Sequence, residues 1–111
     1  MEKIVEKPWG KEEILELNRD YMLKRLTMHK NCRCSLQYHN KKRETIYVLS
    51  GELKITVDKT QKVYKQGEFI TIEHGVIHRM EAVKESVYLE ASTPQTDDTV
   101  RIEDDYNRKS L

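Results

Sequence analysis

Four residues of cation-binding type stand at spacings that let them meet. Gln37 and His39 lie two apart in the run Arg33 to His39. On an extended strand alternate residues share a face, so their Cα atoms would be roughly 6.5 Å apart on one side. Glu44 follows the short polar turn Asn40 to Arg43 and heads the strand-like run Thr45-Ile46-Tyr47-Val48-Leu49, which sets a carboxylate opposite the first pair. His78 ends a distant hairpin that begins at Gly67, with Gly75 marking the turn. Each residue alone has an ordinary explanation, as a hydrogen-bonded core histidine or a strand-end carboxylate. Together in one interior they would leave a carboxylate unpaired at considerable cost, which a divalent cation removes. Two imidazoles, a carboxylate and an amide oxygen, with no thiolate, suit zinc first and also manganese, iron, cobalt or nickel. With open coordination positions, such an ion is a Lewis acid that can polarise a carbonyl and stabilise an enediolate.

The elements that must position these donors read as short strands. Glu12 to Leu17 and Tyr21 to Met28 flank the loop signal Asn18-Arg19-Asp20. Leu53, Ile55 and Val57 alternate with Lys54, Thr56 and Asp58, the pattern of a half-exposed strand. Val63-Tyr64, Phe69 to Ile72, Ile77 to Ala82 and Val87 to Ala91 supply the others. Strands this short and evenly punctuated predict an all-β barrel or double-sheet jelly roll. In Arg33 to His39, residues 33, 35, 37 and 39 form a polar face expected to line a cavity. Cys34, Leu36 and Tyr38 form an apolar face to be covered by another element or subunit. Lys7-Pro8-Trp9-Gly10 is a rigid entry, with Trp9 packing on the core or on a partner. Beyond Pro94 the composition turns polar, and Thr99 to Tyr106 is left open between a short helix and an extended arm.

At 111 residues the chain is expected to be one domain, with a barrel over 7–94 and a polar tail over 95–111. Charged residues make up 35% and apolar residues 37%, which suits a soluble protein with a thin core. No apolar run could span a membrane and the first residues lack a signal-peptide core, so a cytoplasmic location without membrane contact is expected. Cys32 and Cys34 are poorly spaced for a disulfide and too few for a thiolate metal site. From Arg19 to Arg43 eight basic residues meet a single acid, Asp20, and such a stretch would attract an anionic substrate. It lacks the interleaved aromatics of a nucleic-acid surface, so no nucleic-acid partner is expected. His29 and His74 read as surface or loop residues. The apolar faces Cys34, Leu36, Tyr38 and Thr45, Tyr47, Leu49 exceed what one small barrel covers, which predicts a homodimer.

Gln37-Tyr38-His39, Glu44 four residues on, Gly51 six further, and then Gly67, Gly75 and His78 together resemble the two motifs of the cupins. Asn31, Glu73 and Ala82 replace that pattern's glycine, proline and asparagine. More closely, Lys7 to Gly10, Arg33 to Gln37, Val48 to Gly51, Gly75 to Arg79 and Val100 to Tyr106 resemble the type II mannose-6-phosphate isomerase domain. That domain usually follows a mannose-1-phosphate guanylyltransferase. The resemblance implies a cupin double-stranded β-helix and a metal-dependent aldose–ketose isomerase acting on mannose 6-phosphate or a related sugar phosphate. It also implies a separate sugar-1-phosphate nucleotidyltransferase as a partner. In this frame Arg33, which shares parity with Gln37 and His39, is expected to hold the phosphate through a two-oxygen grip. Lys24 and Lys41 are further candidates, as phosphate partners or proton-transfer groups. Lys41 stands where the family shows the third of three consecutive histidines. That exchange keeps two alternatives open: another sugar-modifying cupin, isomerase or epimerase, and a non-catalytic sugar-binding cupin.

Overall fold

The computed structural model describes residues 3–108. Eleven strands succeed one another without a helix among the described residues: β1 (Lys3–Lys7), β2 (Gly10–Leu17), β3 (Met22–Met28), β4 (Leu36–His39), β5 (Glu44–Ser50), β6 (Glu52–Val57), β7 (Thr60–Lys65), β8 (Phe69–Ile72), β9 (His78–Ala82), β10 (Ser86–Ser92) and β11 (Thr99–Glu103). They form a six-stranded sheet in the order β1-β2-β3-β10-β5-β8 and a five-stranded sheet in the order β11-β4-β9-β6-β7. Every pairing is antiparallel. The expected all-β jelly roll is thus the observed architecture.

Period-two patterning decides which face of each strand turns inward. On β5 Ile46 and Val48 are buried, on β6 Leu53 and Ile55, and on β10 Tyr88, and these meet Leu26, Met28 and Met80 in one core. Each such side chain contributes about 1.5–3 kcal/mol when fully withdrawn from water. The same parity carries polar groups inward: Glu44 precedes Ile46 on β5, and Glu90 follows Tyr88 on β10, both buried. Charges in such places need partners. Trp9 joins the core, and Gly10 beside it has φ 153°, with the β3 backbone so close that a Cβ would collide with the Thr27 carbonyl oxygen. The Trp9-Gly10 pair therefore both anchors β2 and lets it approach β3.

The segment beyond Pro94 is a structural wall. β11 pairs with β4, setting Thr99 opposite His39 and Arg101 opposite Gln37. It is a strand, and it extends the sheet beyond the 7–94 span, as β1 does at the edge of the other sheet. Just before β11, the Asp98 carboxylate accepts the N–H groups of Asn40 at 3.1 Å, Lys41 at 2.7 Å and Lys42 at 2.8 Å. The turn between β4 and β5 is thereby tied to the C-terminal segment. Asp98→Ala is expected to lower unfolding free energy by about 1–2 kcal/mol in urea titrations, and Asp98→Asn, which keeps one acceptor oxygen, by less.

Candidate metal centre

His39 closes β4, His78 opens β9, and Glu44 opens β5 on the other sheet. The space between the sheets thus receives two imidazoles from one wall and a carboxylate from the other. His78 Nε2 lies 3.0 Å and His39 Nε2 3.8 Å from Glu44 Oε1, and one donor atom from each residue falls within 4.8 Å of the others. All three side chains are buried. Each imidazole is fixed by its other nitrogen: Nδ1 of His39 lies 3.1 Å from the Asp98 carbonyl and Nδ1 of His78 2.9 Å from the Val76 carbonyl. A carbonyl only accepts, so each Nδ1 carries the proton and each Nε2 presents a lone pair inward. Neither Nε2 nor either Glu44 oxygen meets hydrogen-bond geometry with a partner, despite the short approach. Buried polar atoms are rarely left so. Carbonyl-anchored imidazoles aimed at a shared carboxylate are what a divalent cation requires, and this donor set fits one.

Gln37, the fourth expected ligand, pairs with His78 across β4 and β9 and lines the same cavity as His39. Its Oε1 accepts the Ser35 hydroxyl at 2.5 Å, which leaves the second lone pair of that amide oxygen for a cation. The cavity, about 270 Å³, is walled by both sheets and by the C-terminal segment. Lys24 lies on this wall, its Nζ 2.8 Å from Glu12 and 4.0 Å from Glu90.

Two expected residues are placed elsewhere. Arg33 is not on β4, which starts only at Leu36. It makes an isolated bridge with Glu81, and its guanidinium grips Asp105 at 2.7 and 2.9 Å on the outside. The parity counted back from His39 breaks there, and Cys34 likewise falls into the core instead of sharing an outer face with Leu36 and Tyr38. Lys41 is exposed on the turn and does not line the cavity, because β4 ends at His39 and strand alternation ends with it. His29 and His74 are exposed, as expected.

Sequence reasoning missed Lys42 and Glu90. Lys42 Nζ sits 3.2 Å from Glu44 Oε2 and 2.9 Å from Glu90 Oε2, all three groups buried. Burial alone would lower the Lys42 pKa, but Glu90 and Glu44 together raise it above the ordinary lysine value, so it stays charged. Burial pushes the Glu44 carboxyl up, and His78 and Lys42 outweigh it, holding that group well below the usual carboxylate range. Glu90 goes the other way: burial and then Glu44 raise its pKa against the pull of Lys42. The inward parity of Glu90 with Tyr88 was the available signal. Lys42, on a turn, offered none.

The two histidines respond oppositely to the site when no metal is bound. Burial, then Lys42, pulls His39 down to about 4. Burial also opposes charge on His78, but Glu44 prevails and raises it above 6.5. Between pH 6.5 and 4 the unfolded chain protonates His39 before the folded one, so stability falls as pH falls. Above 6.5 folded His78 retains its proton longer than unfolded His78, so its contribution is lost as pH rises through the raised pKa. The two histidines of the metal-free protein therefore contribute most to stability near pH 6.5. His39→Gln should flatten the acid limb down to pH 4.5 and spare the alkaline one in urea midpoints, and an unchanged acid limb would contradict this.

Known proteins share this arrangement of strands. The family model described as mannose-6-phosphate isomerase C-terminal matches residues 1–106. Mannose-1-phosphate guanylyltransferase ManC of Salmonella typhimurium is 30% identical over 118 aligned residues, covering 97% of this chain and 24% of its own length. Mannose-1-phosphate guanylyltransferase of Escherichia coli is 32% identical, covering 94% and 23%. The alginate biosynthesis protein AlgA of Pseudomonas aeruginosa is 28% identical, again covering 94% and 23%. The chain spans about a quarter of the length of the curated relatives it matches. Among solved structures, KdgF from Halomonas sp. has a TM-score of 0.80 at 15% identity, covering 86% of this chain and 88% of its own. An RmlC-like cupin from Shewanella frigidimarina has a TM-score of 0.80 at 20% identity, covering 87% of each chain. These likenesses show the fold to be the cupin double-stranded β-helix.

Proposed function

Because the chain belongs to the mannose-6-phosphate isomerase C-terminal family, we propose that it is a metal-dependent aldose–ketose isomerase interconverting mannose 6-phosphate and fructose 6-phosphate in the supply of polysaccharide precursors. The observation that carries this reading is the convergence of His39 Nε2, His78 Nε2 and Glu44, without hydrogen-bond partners, beside a cavity rich in cations. The relatives matched by the chain are named for guanylyltransferase, xanthan and alginate biosynthesis, which agrees with a place in polysaccharide assembly.

His39, His78 and Glu44 would hold the cation, with Gln37 beside them. Once bound, the ion supplies Lewis acidity at a sugar carbonyl and charge stabilisation for the enediolate. Glu90 is the group in the cavity best suited to carry the proton between C1 and C2. Burial and the neighbouring Glu44 raise its pKa above the ordinary carboxylate value, the direction that suits a proton carrier. Lys42 and Lys24 flank that carboxylate and fix its position. Lys41 lies off the cavity, so the exchange of a family histidine at that position leaves the wall unchanged.

The test is a coupled isomerase assay on metal-stripped and metal-restored protein, with solvent deuterium followed into C2 of the sugar. Activity and exchange should return with metal, and Glu90→Gln should lower kcat by about 10²–10⁴-fold. A protein that retains one equivalent of metal but neither isomerises nor exchanges would sink the reading. In the same reading the chain is a homodimer joined through the outer face of the six-stranded sheet, where Tyr47 and Phe69 stack at 6.3 Å and stand exposed. Light scattering at micromolar concentration tests that, and a monomeric mass would reject it.

A further inference from the structure

The two oxygens of Glu44 face different partners. Oε1 stands 3.0 Å from His78 Nε2 and 3.8 Å from His39 Nε2, on the side where the imidazoles converge. Oε2 stands 3.2 Å from the Lys42 ammonium. Lys42 belongs to the turn between β4 and β5, and Glu44 opens β5. Two fixed points bring the ammonium to the carboxylate. The Lys42 backbone N–H donates to the Asp98 carboxylate at 2.8 Å, and its Nζ donates at 2.9 Å to Glu90 Oε2, on β10 beside β5. A flexible stem is thus anchored at both ends, and the residue is buried.

A charge placed there has two effects on a divalent ion held by His39, His78 and Glu44. One is a division of labour within the carboxylate: Oε2 is already engaged by a cation, so Glu44 presents one oxygen to the imidazoles instead of two. The other is repulsion between the ammonium and the ion, which is little screened among buried groups. Both effects lower affinity. Withholding the second oxygen also has a use, because catalytic metal sites differ from structural ones in keeping a coordination position open. A residue that merely orients a ligand acts in the opposite sense, and its removal costs about 10–100-fold in metal affinity. The sign of the change on removing Lys42 therefore separates the two roles.

We propose that Lys42 is a resident counter-cation of the metal centre. It keeps one Glu44 oxygen from the ion, preserves an open coordination position, and sets the affinity below what His39, His78, Glu44 and Gln37 would give without it. This rests on the metal centre of the isomerase reading, and not on which sugar is turned over.

The experiment is chelator-competition titration of the full chain with zinc and with cobalt, comparing wild type, Lys42→Arg and Lys42→Met. Wild type and Lys42→Arg should bind alike. Lys42→Met should bind about tenfold or more tightly, although the metal-free variant is the less stable protein, because the ion takes over the compensation that the ammonium supplied. Affinity and metal-free stability then move in opposite directions. Its cobalt form should also absorb more weakly in the visible, since a second carboxylate oxygen raises the coordination number. Should Lys42→Met fail the near-ultraviolet dichroism check for folding, Lys42→Met/Glu90→Gln measured against Glu90→Gln alone decides by the same two readouts. Equal or weaker binding on removal of Lys42 would overturn the proposal and leave the metal centre standing. Tighter binding with an unchanged cobalt spectrum would overturn the division of the two oxygens. A wild type that binds neither ion removes the metal centre itself.

Discussion

His78→Ala should cost the protein its metal. Loss of a residue that merely orients a ligand costs about 10–100-fold in affinity, so loss of one of three converging donors should exceed about 100-fold. A chelator-competition titration reads this directly, and the thermal shift gives a second measure. A ligand at one hundred times its Kd stabilises the native state by about 2.7 kcal/mol, a gain the wild type should show and His78→Ala should lose. Gln37→Ala should lose less, since its amide oxygen is already shared with the Ser35 hydroxyl. Retention of stoichiometric metal at wild-type affinity by His78→Ala would remove the basis of the metal centre. The centre would then be only two histidines hydrogen-bonded to loop carbonyls.

Lys42→Met should be the most destabilising single change in the cavity. The ammonium lies against two buried carboxylates, 3.2 Å from Glu44 and 2.9 Å from Glu90. Removing one partner of a buried ion pair costs about 3–5 kcal/mol, because the charge left behind has lost its compensation. The double variant Lys42→Met/Glu90→Gln should recover part of that loss by neutralising one of the stranded carboxylates, and Lys42→Arg should retain most of the stability. Denaturant unfolding of the metal-free proteins checks all three. A Lys42→Met protein within about 1 kcal/mol of wild type would mean that water, not Lys42, compensates Glu44 and Glu90, a cost within the ordinary range for surface changes.

The sequence disclosed the strands because alternation is a local property. Leu53 and Ile55 face inward as their spacing predicts, and so do Ile46 and Val48. It also disclosed His39, Glu44 and His78, because all three begin or end strands whose turns are marked by polar runs or glycine. Arg33 and Lys41 were misplaced for one reason: parity holds only within a strand. The chain leaves β-structure around Asn31, which has φ 67°, and again after His39. That the cavity draws Lys7 from β1 and Arg101 from β11 was out of reach for a different reason. Their meeting depends on β1 and β11 joining different sheets, and no local pattern records pairing between residues 60 or more positions apart, such as His39 with Thr99.

That long-range pairing gives the pocket a history. β11 supplies Arg101, its approach supplies Asp98, and both join a strand synthesised some sixty residues earlier. Contacts of such separation form late, because the intervening loop must lose its entropy first. On a growing chain the two sheets can therefore associate while the imidazole of His39 still lacks its carbonyl anchor. That ring takes its anchored posture only once the segment carrying Asp98 has docked beside β4.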